Sequence, residues 1–236
     1  MTEEFEDRDL SDSVFWGVKL RNSYVRDADL TGARFFHTWW KDVSIDGIVD
    51  GLVVNGVDVT DFVNSHDRWY PLRTQLEPST DGELREAWSA IQSEWDALFA
   101  RVATMSGDAP MRSVNGEWSL RDTCRHLVFA MDKWFRWPIV GAREFSPIGL
   151  PNTGSRDRDW PGLDLDANPS FDEVLVVRSA YVDEFTRGIH EYSLSQLPDT
   201  VDILENGTVP ALMCFHAVLE EEFEHLRYAL RDLDQI

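Results

Sequence analysis

The chain has 236 residues, with 43 acidic against 22 basic side chains and a formal net charge of −21. That charge argues against a nucleic-acid backbone or an anionic membrane as partner, since both are polyanions, but leaves open a protein partner or an acidic mimic of nucleic acid. The length suits one large domain or two modest ones, and a 43% share of hydrophobic residues is ample for a core.

No apolar run approaches the roughly 18 residues of a membrane span. The opening Met1-Thr2-Glu3-Glu4 is acidic, unlike a signal or transit peptide. Cys124 and Cys214 fall in predicted helices and form neither a CxxC pair nor a disulfide framework. The expected localisation is cytoplasmic, with no nucleic-acid and no membrane partner.

From about residue 8 to 50 the chain repeats every five residues. Leu10, Phe15, Leu20, Val25, Leu30, Phe35, Trp40 and Ile45 are all apolar, and mostly small or β-branched residues stand two places before them. Neither a helix, with a period of about 3.6, nor a strand, with about 2, produces that spacing. It implies a short solenoid whose coils stack by copying. The stretch from Asp27 to Phe35 resembles the pentapeptide-repeat family. The resemblance implies a right-handed square β-helix of about two coils, with the large and small residues pointing inward. After it, Asn55-Gly56 between β-branched residues marks a hairpin over 52–59, expected to close the open end of the solenoid.

Four helices follow. The first runs from about Glu83 to Met105, with Leu84, Trp88, Ile91, Trp95, Leu98, Phe99 and Val102 at helical spacing. The second opens at Ser119, an N-cap with Asp122 three residues on, and carries a stripe of Leu120, Cys124, Leu127, Met131 and Trp134, with His126 at its edge. A long connection, about Pro138 to Pro169, has the length of a functional loop such as a lid. The third opens at Ser170, with Glu173 completing a capping box, and reaches about Tyr192. An irregular stretch, Leu194 to Gly207, precedes the last helix, Pro210 to Leu233. Four helices with a long middle crossing describe a four-helix bundle.

The last helix carries the chemistry. At about 100° per residue, His216, Glu220, Glu224, Arg227 and Arg231 share a polar arc, whereas Leu219, Phe223, Leu226, Leu230 and Leu233 mark an apolar one. Glu222 and His225 lie along the extended side of the apolar arc, with Glu221 at its border. A carboxylate facing a bundle interior is costly unless protonated, paired or metal-bound. Glu221 and His225 are four apart and reach one point beside the helix, which makes half of a metal site. His216 points to the opposite side and cannot share it.

The third ligand comes from a resemblance. Gly116-Glu117-Trp118-Ser119-Leu120 followed by Arg125-His126-Leu127 resembles the start of the second helix in the DinB/YfiT-like superfamily, where a histidine joins two residues of the last helix to hold a divalent metal. Glu221 to His225 resembles the Glu-x-x-x-His variant of the mycothiol-dependent maleylpyruvate isomerase branch, and the combination with a pentapeptide segment resembles actinobacterial DinB-like proteins. The resemblance implies a metal held by His126, Glu221 and His225, with Glu222 as the alternative to Glu221. Zn²⁺ suits that donor set best, with Ni²⁺, Fe²⁺ or Mn²⁺ tolerated. It further implies a low-molecular-weight thiol such as mycothiol, and hence an S-transferase or isomerase-like reaction on an electrophile; catalytic residues and oligomeric state, a homodimer included, stay open.

The expected fold class is therefore α+β and multidomain: a pentapeptide-repeat β-helix with its hairpin over 1–62, a linker over 63–82 and a DinB-like four-helix bundle over 83–236. Two functions compete. One is a metal-dependent, thiol-using enzyme with a site reached from the Pro138–Pro169 connection; the other is a non-catalytic scaffold whose acidic N-terminal platform binds a protein. Arg125, Arg156 and Arg158 are candidates to bind a thiol cofactor's carboxylate, and Trp134, Trp137 and Trp160 to line a pocket, although core packing is the commoner role of tryptophan.

Overall fold

The structure, a computed structural model, describes residues 5, 8–25, 28–156 and 158–236. The acidic start at Met1 to Glu4, and Asp27 at the head of the pentapeptide-like stretch, lie outside the described residues. The chain divides into two compact units, Met1–Asp46 and Gly47–Ile236.

In the first unit the period of five is written into the turns. Asp12, Gly17, Asn22, Gly32, His37 and Asp42 all have positive φ, a conformation that Gly, Asn and Asp adopt at least cost. The Leu10, Leu20 and Leu30 carbonyls accept from the amides three residues on, at 3.1, 3.4 and 2.9 Å. The expected β-helix is nevertheless not formed among the described residues. None of them in this unit belongs to a strand, and the only sheets among the described residues are two small hairpins elsewhere. The apolar residues meant for its interior stay exposed, from 43% at Leu10 to 68% at Val25. Solenoid repeats bury their faces against neighbours on both sides, and about two coils supply too few neighbours to enclose a core.

The second unit opens with the hairpin. β1 (Val53–Val54) pairs antiparallel with β2 (Val57–Asp58). Asn55 and Gly56, at φ 51° and 82°, supply the two left-handed residues a type I′ turn requires. Residues 63–82 are more than a linker. They hold most of α1 (Thr60–His66) and all of α2 (Tyr70–Arg73), and Trp69, Leu72 and Leu76 pack against the bundle core.

The bundle consists of α3 (Asp81–Val102), α4 (Leu120–Met131), α5 (Phe171–Glu191) and α6 (Ala211–Leu233). Around the core α3 meets α6, α6 meets α4, α4 meets α5 and α5 meets α3. Complete capping boxes start α3 (Thr80 with Glu83) and α5 (Ser170 with Glu173), and Ser119 caps α4 through the Asp122 amide. Trp95, Phe135, Phe185, Phe215 and Phe223 are the largest fully buried side chains.

Two differences from the sequence reading bear on the site. The second helix ends close to Pro138 as expected but does not stay α-helical: α4 stops at Met131 and the chain continues as a π-helical segment, Asp132–Val140, closed by Gly141 at φ 83°. The wider turn accommodates a proline that an α-helix would not. The stretch before α6 is not irregular: β3 (Thr200–Ile203) pairs with β4 (Gly207–Pro210), with Val201 opposite Val209, and buries Ile203. The fold class is thus a helical bundle with little sheet.

Candidate metal centre

α6 places Glu221 and His225 one turn apart, and the neighbouring α4 brings His126 to meet them. His126 Nε2 lies 3.2 Å from Glu221 Oε2, and His225 Nε2 lies 3.3 Å from the same oxygen. One donor atom from each of the three residues falls within 4.8 Å of the others. The two imidazole centroids are 4.7 Å apart.

The long connection sets the orientation of His126. Its Nδ1–H donates to the Leu150 carbonyl at 2.9 Å. A carbonyl only accepts, so the Nδ1 proton is fixed there and Nε2 is the nitrogen that faces the cluster, able to donate to Glu221 when it carries a proton or to offer its lone pair to a cation when it does not. Metal-binding histidines commonly have this second-nitrogen anchor. Acceptor atoms that face one point need a shared positive charge, as protons or as a cation. The N, O, N donor set therefore fits a divalent cation.

Burial acts to raise the Glu221 carboxyl, but hydrogen bonds with His126 and His225, and their charges, outweigh it and hold the group well below the ordinary carboxylate range. Burial lowers His225 below the usual histidine value, against the opposing pull of Glu221. Above the cluster lies Trp118, its ring 4.8 Å from His126 and 5.9 Å from His225. Left-handed Asn115 and Gly116 turn the chain so that Trp118 arrives there just before the Ser119 cap.

Glu222, the alternative ligand, faces elsewhere. Its carboxylate takes two 2.7 Å bonds from Arg178 of α5, and both side chains are almost fully buried. Gln92 reaches it at 3.4 Å, and the Trp95 indole donates to its backbone carbonyl at 3.2 Å. The sequence reading had Glu222 buried but missed its partner. Arg178 shares the apolar face of α5 with Val174, Phe185 and Ile189, and that position was the available signal. His216 is held apart by the Pro78 carbonyl at 3.0 Å.

The other candidates are dispersed. Trp134 is in the main core; Trp160 and Phe145 of the connection pack with Phe129 of α4 in a second apolar cluster, with Trp137 and Leu163 against it. Arg125 is buried under the connection, whereas Arg156 and Arg158 are exposed. Burial pushes the Cys124 thiol up to about 12 and the Cys214 thiol up to about 11, so neither supplies a thiolate nucleophile near neutrality.

These features define a class: a four-helix bundle with a His/Glu cluster shared between its second and last long helices. The chain belongs to the DinB superfamily, whose family model matches residues 83–229, well over half of the sequence. No curated protein and no solved structure matches the chain. Among the described residues, no helix is long and apolar enough to cross a membrane.

Proposed function

We propose that this protein is a metal-dependent DinB-superfamily protein in which His126, Glu221 and His225 hold one divalent cation, Zn²⁺ by donor preference, with Ni²⁺ or Fe²⁺ as alternatives. The supporting observation is that two imidazole Nε2 atoms meet one carboxylate oxygen, at 3.2 and 3.3 Å, while Leu150 keeps the His126 Nδ1 proton away from them. Three protein ligands leave a position for a substrate atom. A cation there supplies the positive charge that lowers the pKa of a thiol and favours its thiolate form. Both cysteines of the chain are buried and protonated, so a thiol nucleophile has to come from outside, as a low-molecular-weight thiol such as mycothiol transferred to an electrophile. The Glu-x-x-x-His spacing on α6 supports that branch of the family.

The test is elemental mass spectrometry on the purified protein and on His126→Ala. About one equivalent of a transition metal in the native protein, lost in the variant, is the expected result. A native protein that takes up no metal from supplied Zn²⁺ or Ni²⁺ overturns the reading. One observation favours the second function, a non-catalytic interaction protein: Trp16, Phe36 and Trp39 of the first unit are each more than 90% exposed, which leaves large apolar rings available to a partner.

A further inference from the structure

Three residues outside the cluster, Arg125, Ile148 and Leu150, are joined by hydrogen bonds beside it and tied to His126. The Arg125 Nε–H donates to the Ile148 carbonyl at 2.9 Å, the Leu150 amide donates to the Arg125 carbonyl at 3.2 Å, and the Leu150 carbonyl accepts from His126 Nδ1–H at 2.9 Å. Gly149, between the two anchored residues, is closely packed, so that a side chain there would require its neighbours to give way by a few tenths of an ångström. A Cβ there would stand 3.0 Å from Leu163, 3.3 Å from the Phe129 Cβ and 3.3 Å from the Ser146 carbonyl. The 148–150 segment is therefore a strap drawn tightly onto α4.

Arg125 is an expensive way to hold such a strap. Its side chain is 6% exposed, its nearest carboxylate is Asp122 at 3.7 Å, and among the described residues its buried Nη2 has no hydrogen-bond partner. Burial lowers its pKa; the charges of Asp122 and Asp164 oppose that, while those of Arg121 and Arg156 add to it. A buried charge with an unmet donor costs stability that an apolar side chain of similar length would not. A group kept at such cost is better explained by what it orients than by what it stabilises.

We infer that Arg125 is a positioning residue, which fixes the 148–150 strap and through the Leu150 carbonyl holds His126 with Nε2 turned toward Glu221 and His225. The geometry is independent of any cation; only the consequence for metal affinity rests on the function proposed above.

The test is Arg125→Met in the full chain. In metal-free protein, hydrogen exchange at the Leu150 amide and the His126 Nδ1–H signal in ¹⁵N-edited NMR report the strap directly. Zn²⁺ affinity by chelator competition reports the consequence. The expected result is loss of the Nδ1–H signal, at least about tenfold faster exchange at Leu150 with α6 core amides unchanged, and about 10–100-fold weaker Zn²⁺ binding, without a lowered melting temperature. A merely structural arginine would lower the melting temperature and leave the imidazole signal in place. If Arg125→Met does not fold, Arg125→Gln, too short to reach Ile148, carries the same readouts. Persistence of both the Leu150 protection and the Nδ1–H signal overturns the inference. A native protein that binds no Zn²⁺ while the variant loses the Nδ1–H signal overturns the metal reading and leaves the positioning role standing.

Discussion

Replacing Arg178 with Met would strand the Glu222 carboxylate in the core. The pair makes two 2.7 Å bonds with side chains only 4% and 2% exposed, and the other polar side chain on that carboxylate, Gln92, is 3.4 Å away. Removing one partner of such a pair leaves an uncompensated buried charge, at a cost of about 3–5 kcal/mol. That is a large part of the roughly 5–15 kcal/mol by which domains are stable. With a urea dependence of about 3 kcal/mol per M, the unfolding midpoint should fall by about 1–2 M. Arg178→Met combined with Glu222→Leu removes both charges, and apolar replacement of a buried pair is ordinarily neutral or stabilising by about 1–4 kcal/mol. Arg178 also lies over the Trp95 ring, 4.6 Å from its centroid; that contact is lost in both variants and cancels in the comparison. Urea denaturation of the wild type, both single variants and the double variant should give a coupling of about 3 kcal/mol or more. A double variant as unstable as Arg178→Met alone would refute the reasoning, because the cost would then lie in packing and not in the stranded charge.

Two further predictions separate the roles of neighbouring groups. Glu221→Gln should lower Zn²⁺ affinity by about 100-fold or more, because a charged donor is lost, whereas the Arg178→Met/Glu222→Leu double variant should keep about one equivalent; elemental analysis after equilibration distinguishes the two adjacent glutamates. Burial raises the Cys124 thiol from 9.0 to about 12. Its folded value lies above the unfolded one, so its contribution is fully present below pH 9 and is lost as pH rises toward 12, by up to about 1.4 kcal/mol per pH unit. Urea midpoints measured from pH 8 to 11 should accordingly fall less steeply in Cys124→Ala than in the wild type; equal slopes would show that this thiol ionises freely in the folded protein.

Local rules made much of the second unit legible. Helical periodicity marked the buried faces, Ser119 and Ser170 announced two helix starts, and Asn55-Gly56 announced a turn whose two positive φ values the structure contains. The Glu221–His225 half-site was readable because positions four apart on a helix are neighbours whatever the rest of the chain does. His126 was not readable that way. It stands 95 residues from Glu221, and only a family resemblance pointed to it.

Tertiary structure decided what a carboxylate or a period does once packed. Glu221 and Glu222 are adjacent in sequence, yet one faces two histidines and the other an arginine on a different helix, because successive helical positions point about 100° apart and meet different neighbours. The Leu150 carbonyl that orients His126 is a backbone group, so no residue type could have announced it. The Trp118 ring reached the cluster through a turn that periodicity does not describe. In the first unit the period of five was plain in the sequence and persists in its turns, but a repeat specifies only how one coil follows another. Whether the coils bury a core depends on how many stack together, and the structure leaves those side chains exposed.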